Sequence, residues 1–220
     1  MALPLDPAEV RVVGALAEKA LATPDYYPMS LNALVAACNQ KTGRDPVMDL
    51  SESEVARALD GLTRRGLAGT TSGAGSRVAK YRHLLDHRFE LDAPEIAALA
   101  VLLLRGPQTV GEVKGRTGRL YAFESLEEAE AAVRRLGERD EPLVVELPVQ
   151  PGRKEPRFAH LLGGMPEVEE TDPVAAESPA MRAARAEGDR IAMLEERVEA
   201  LEGELGDLRD AFERFRQQFE

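Results

Sequence analysis

The chain repeats itself. Leu5-Asp6-Pro7-Ala8-Glu9-Val10 opens one segment and Leu91-Asp92-Ala93-Pro94-Glu95-Ile96 opens another. Lys80-Tyr81-Arg82-His83-Leu84-Leu85 closes the first, and Arg157-Phe158-Ala159-His160-Leu161-Leu162 closes the second. Two units begun and ended alike mark a duplicated small domain, because each copy must bury its own apolar faces with the same element order. The boundaries that follow are residues 1–88 and 89–164.

Each unit is legible from its caps. Asp6 is placed as an N-cap, with Pro7 at the first helical position and Glu9 three residues on; Leu5 and Val10 stand where a hydrophobic staple closes. Asp92 with Glu95, and Leu91 with Ile96, repeat the arrangement before an apolar run that reaches Leu104 and stops at Gly106-Pro107. A second helix is predicted after Ser30, with Leu31, Leu34, Val35 and Cys38 on one stripe, and another between Thr109 and Arg116. The third helices open on matching capping boxes, Ser51 with Glu54 and Ser125 with Glu128. Both then run into a predicted hairpin. The strands are Leu67 to Ser72 and Arg77 to Leu85 in the first unit, Leu143 to Val149 and Arg157 to Leu162 in the second. Three helices followed by a hairpin is the order of a winged helix-turn-helix. The expected class is mainly α with small β-hairpins (α+β): two tandem winged helix-turn-helix domains followed by a C-terminal coiled-coil helix.

That last helix has its own pattern. Residues 165–178 carry acidic residues and prolines without an aromatic, a flexible-linker composition. From 179 to 220 the pattern is heptad: Ile191, Val198, Leu205, Phe212 and Phe219 recur every seven residues, and Leu194, Leu201, Leu208 and Phe215 follow three later. Such a seam needs a partner helix, so a homodimer through residues 191–215 is expected. The charges at the flanking positions suit a parallel pair without excluding an antiparallel one.

Charge is unevenly spread. The net charge is −11, yet residues 1–164 hold 21 Lys+Arg against 23 Asp+Glu, while residues 165–220 hold 7 against 16. Near-neutral repeats permit a local basic face without establishing one. No run approaches the roughly 18 apolar residues of a membrane span, no signal peptide opens the chain, and a single cysteine suits a reducing compartment. A cytoplasmic protein without a membrane partner is expected.

The block Leu31-Asn32-Ala33-Leu34-Val35-Ala36-Ala37-Cys38-Asn39-Gln40-Lys41-Thr42-Gly43-Arg44-Asp45-Pro46-Val47-Met48 resembles the signature of the YceH-like family of bacterial proteins. Leu50-Ser51-Glu52 and the run Gly111-Glu112-Val113-Lys114-Gly115-Arg116-Thr117 are similar to it too. The resemblance covers residues 5–164 and implies two winged-helix domains per chain and a bacterial source. It implies no reaction.

Candidate functional residues are therefore weighed for binding. Arg77, Lys80 and Arg82 in the first hairpin, with Arg153, Lys154 and Arg157 in the second, suit phosphate contacts; charged hairpin edges also simply discourage strand pairing. Arg57 and Arg64 on the third helix, and Lys41 and Arg44 in the loop before it, could meet phosphate or an acidic partner. Asn39 and Asp45-Pro46 in that loop are read as structural. Glu52, Glu54, Glu127 and Glu128 at the third-helix N-termini would face a polyanion with the wrong sign. His83 and His160 hold matching positions, as packing at a hairpin's end requires, and Cys38 lies on an apolar stripe. No catalytic set, cofactor or metal site is expected, and the chain is read as a non-enzyme. Two functions stay open: a DNA-binding transcription regulator using duplex DNA as partner, or a protein-interaction scaffold.

Overall fold

The computed structural model describes residues 4–71, 79–150, 153 and 155–166. Arg77, Lys154, the acidic segment from residue 167 and every heptad position from Ile191 to Phe219 lie outside the described residues. Helices dominate, and the strands are short and antiparallel.

Helix α1 (Pro7–Ala22) begins on a complete capping box. The Asp6 carboxylate accepts the Glu9 backbone N–H at 2.8 Å, and Glu9 in return accepts the Asp6 backbone N–H at 3.0 Å. Because Pro7 carries no N–H, two of the three orphan amides of the first turn are thereby satisfied. A short 3-10 turn, Pro24–Tyr26, leads to strand β1 (Met29–Ser30), and Ser30 caps helix α2 (Leu31–Cys38). Helix α3 (Glu52–Arg64) opens on the Ser51–Glu54 box and buries Val55, Ala58, Leu59 and Leu62. Strands β2 (Ala68–Thr71) and β3 (Lys80–His83) complete the first half. The sheet order is β1-β3-β2, with Met29 opposite Tyr81 and Ala68 opposite His83.

The second half repeats this course. Helix α5 (Ala93–Arg105) carries the Asp92–Glu95 box, α6 (Val110–Arg116) the Thr109–Glu112 box, and α7 (Leu126–Gly137) is capped by Ser125. Strands β4 (Val144–Leu147) and β5 (Arg157–His160) pair antiparallel, with Val144 opposite His160. Gln108 forms an antiparallel bridge to Phe158 just before the α6 cap, where β1 sits in the first half. Both halves therefore place a third backbone segment on the last strand.

Two features depart from expectation. β1 was absent from the sequence reading, since two residues after Tyr27-Pro28 carry no alternation to detect. The strand expected to reach Leu85 ends at His83, and Leu85 opens a short helix, α4 (Leu85–Phe89), that joins the halves. The His83 Nδ1 accepts the Leu85 backbone N–H at 3.3 Å and turns the chain there.

The halves share one buried core. α1 packs along α5 more extensively than any other pair of elements, and the compact unit runs through both halves. Gly14 sets the approach: a Cβ there would stand 3.0 Å from the Leu103 Cβ and 3.1 Å from a Leu104 methyl. Backbone bonds tie the halves at two further points, Leu5 N–H to Leu162 C=O and Asp45 N–H to Leu104 C=O, each at 2.8 Å. Among the described residues no helix is long and apolar enough to cross a membrane.

Candidate nucleic-acid interface

The loop between α2 and α3 is built around two buried arginines. Arg11, 2 % exposed, reaches from α1 to donate to the carbonyls of Cys38 (3.0 Å) and Pro46 (2.5 Å). Arg44, 6 % exposed, donates to the Ala37 carbonyl, to Gln40 Oε1 at 2.7 Å and, through both terminal nitrogens, to the Glu18 carboxylate at 3.0 and 2.6 Å. Asn39 clamps the loop shut, its amide exchanging two 2.8 Å bonds with the backbone of Leu50. The polar residues between 39 and 50 thus split into an inner set that holds the loop and an outer set facing water.

That division decides which candidate cations can meet a phosphate. Arg44 belongs to the inner set: its guanidinium is committed to Glu18 and to backbone carbonyls, so the expectation of a phosphate contact there is withdrawn. Lys41 is exposed. Arg57 and Arg64 are exposed two turns apart on the solvent stripe of α3, the former also donating from Nε to the Ser53 carbonyl at 3.4 Å. On β3 the side chains alternate: Tyr81 and His83 face inward, Lys80 and Arg82 are exposed. Arg153 is exposed in the second half.

Acidic side chains oppose these cations at the helix starts. Hydrogen bonds from the Ser51 hydroxyl and backbone N–H hold the Glu54 carboxyl below the ordinary carboxylate range. Hydrogen bonding at the α7 start, from its own backbone and from Ser125, does the same for Glu127. Both are anionic at neutral pH.

A duplicated ion pair escaped the sequence reading. Glu9 and Glu95, 5 % and 4 % exposed, serve their capping boxes and also face an arginine just past the third helix of their own half: Arg65 at 3.5 Å and Arg139 at 3.6 Å. Counted from the caps Ser51 and Ser125, Arg65 and Arg139 occupy the same position. The two Arg-Arg dipeptides at 64–65 and 134–135 are therefore not equivalent. Arg135 instead adds a second contact to Glu95 at 3.3 Å, where its counterpart Gly61 lies against Glu9. Counting from the caps was the signal available.

The remaining polar residues are absorbed by packing. Burial pushes the Cys38 thiol up to about 12. His83 and His160 hold the same register opposite Ala68 and Val144, and burial lowers both, His160 to about 4. Among the described residues no group of three His, Cys, Asp or Glu is placed to hold a metal.

The model for the family described as "Protein of unknown function, DUF480" matches residues 5–153. The chain belongs to this family. It is 52 % identical over 216 residues to a UPF0502 protein of Geobacter metallireducens, covering 98 % of each chain. It is 51 % identical over 220 residues to a UPF0502 protein of Geobacter sulfurreducens, covering all of both. A UPF0502 protein of Azoarcus is 51 % identical over 217 residues, 98 % of this chain and 94 % of that one. The match bears out the resemblance drawn from residues 31–48 and covers both halves, α1 to β4.

Proposed function

We propose that this DUF480 protein is a homodimeric, tandem winged-helix protein that binds duplex DNA through backbone phosphates. What supports the winged-helix assignment is the order helix, helix, helix, hairpin met in both halves, with a short strand (first half) or a single bridge at Gln108 (second half) lying beside the last strand. The observation that carries the binding reading is the set of exposed cations carried by the first half: Arg57 and Arg64 on α3, Lys80 and Arg82 on β3, Lys41 in the loop preceding α3. Anionic Glu54 and Glu52 at the α3 N-terminus disfavour base-edge contacts there, so affinity rests on phosphates with modest sequence preference.

Binding through phosphates releases counterions, and the logarithm of affinity falls with the logarithm of salt by about 0.9 per contact. Titration of a labelled duplex across salt concentrations is expected to show that steep dependence. The variant R77A/K80A/R82A is expected to lose affinity and about two to three units of slope. Unchanged affinity in that variant would reject the hairpin contact; no duplex binding by the wild type even at low salt would leave the protein-docking reading.

Dimerisation belongs to the heptads of residues 191–219, whose apolar seam would otherwise meet water. Light scattering is expected to give a dimer for the full chain and a folded monomer for a chain ending at Gly164. A monomeric full-length chain at micromolar concentration would remove the coil from this proposal.

A further inference from the structure

The two halves are copies in fold, so each matched position asks what the duplication did with its charge. Counted from the caps Ser51 and Ser125, Arg57 corresponds to Ala131 and Arg64 to Glu138. Counted from the closing histidines, Lys80 corresponds to Arg157 and Arg82 to Ala159. The long loop that carries Lys41 is tied down by Arg11 and Arg44, and neither buried arginine has a counterpart, since Ala97 and Gly118 stand at the matching distances from Asp92 and before Ser125.

The second half has cations of its own, but they are engaged differently. Arg157 donates to Glu112 at 3.2 Å and to the Pro107 carbonyl at 2.6 Å, which holds it over the α6 cap. Arg134 pairs with Glu130 at 2.8 Å and with Glu146 at 3.9 Å. Ala159 is 2 % exposed and faces the core. The exposed start of α7 presents Leu126, 48 % exposed, beside anionic Glu127. A phosphate approaching α7 would meet a carboxylate or an apolar side chain where it meets Arg57 and Arg64 on α3, and repulsion from a single like charge at contact distance offsets one attractive contact.

We infer that only the first half contacts DNA phosphate, so each chain carries one footprint and a dimer carries two, while the second half supports α1 from behind and does not touch the duplex. The inference rests on the DNA-binding reading and adds to it where on the molecule binding takes place. A tandem reader would instead bring two adjacent footprints from one chain.

Equal charge removal from each half tests this. In the full-length protein, R57A/R64A/K80A and R119A/R134A/R153A each remove three positive charges from exposed positions. Fluorescence anisotropy on one labelled duplex, repeated across salt, is expected to show the first variant losing at least tenfold in affinity and two to three units of salt slope, at about 0.9 per contact. The second is expected to stay within threefold of wild type with its slope unchanged. Matching thermal unfolding of both variants with wild type shows that each remains folded. A loss in the second variant equal to that in the first overturns the single-footprint inference while leaving DNA binding standing. Absence of binding by the wild type at low salt sinks the DNA reading, and this inference with it.

Discussion

Replacing Arg44 by alanine is expected to lower the free energy of unfolding by about 3–5 kcal/mol, the usual cost of leaving one member of a buried ion pair without its partner. The guanidinium fills four roles at once: it neutralises Glu18 on α1, donates to the Ala37 carbonyl at the end of α2, orients Gln40 and donates to the Gly43 carbonyl. Without it the loop from 39 to 50 loses its anchor on α1, and Asp45 loses its registration against the Leu104 carbonyl of α5. Arg44→Lys keeps the charge but not the planar fork, so an intermediate loss is expected. Urea titration followed by circular dichroism measures both. A loss under about 1 kcal/mol for Arg44→Ala, the range of an exposed ion pair, would contradict the buried role.

The pH dependence of that variant has a definite sign. Burial pushes the Glu18 carboxyl up, but the charge and hydrogen bonds of Arg44 outweigh it and hold the folded-state value below the ordinary one. A carboxyl depressed in the folded state contributes stability that is complete above its unfolded value, about 4.3, and is lost as pH falls through the folded value. Once Arg44 is gone, burial is opposed only by the charges of Lys19 and Arg105, so the folded-state value rises above that of the wild type and protonation of Glu18 costs the variant less. Its deficit relative to wild type is therefore expected to shrink between neutral pH and pH values below the ordinary carboxylate range.

Leu104→Ala is expected to cost about 3 kcal/mol and to weaken both halves together. Leu104 is 2 % exposed, its side chain lies against Gly14 of α1, and its carbonyl receives Asp45 of the first half. Deleting a buried leucine side chain removes transfer free energy and leaves a cavity that a close-packed helix pair fills poorly. Amide hydrogen exchange separates the outcomes. With one shared core, amides in α3 and α7 exchange faster by the same factor, roughly a hundredfold for 3 kcal/mol. Acceleration confined to α5, α6 and α7 would show that the halves unfold independently.

Both expectations come from contacts that bridge the halves, and those contacts separate what the amino-acid order reveals from what it conceals. The capping boxes at Asp6, Ser51, Asp92 and Thr109 were legible because their partners lie three residues away, within one helical turn. The helix stripes and the closing hairpins were legible because their periods are local. The histidine pair was readable as packing because the repeat placed it twice. Of the candidate site, Lys41, Arg57, Arg64, Lys80, Arg82 and Arg153 are exposed as a surface contact requires.

Arg44 was not separable from Lys41 by any local rule. Both are cations in one polar loop, and what buries the first is Glu18, which lies 26 residues back on α1. The same distance hides Arg11, whose place beneath the loop depends on the carbonyls of Cys38 and Pro46. The segment beside the last strand is a two-residue strand in the first half and a single bridge at Gln108 in the second, and only its pairing with β3 or β5 reveals it. Amino-acid order alone determined the duplication, the helix starts at Asp6, Ser30, Ser51, Asp92, Thr109 and Ser125, and the heptad pattern of the C-terminal segment. Tertiary structure alone decided which charges are spent inside the molecule and which face outward. The reason is physical: helix and cap signals act over a turn of chain, whereas burial of a charge depends on whichever distant group the fold brings against it.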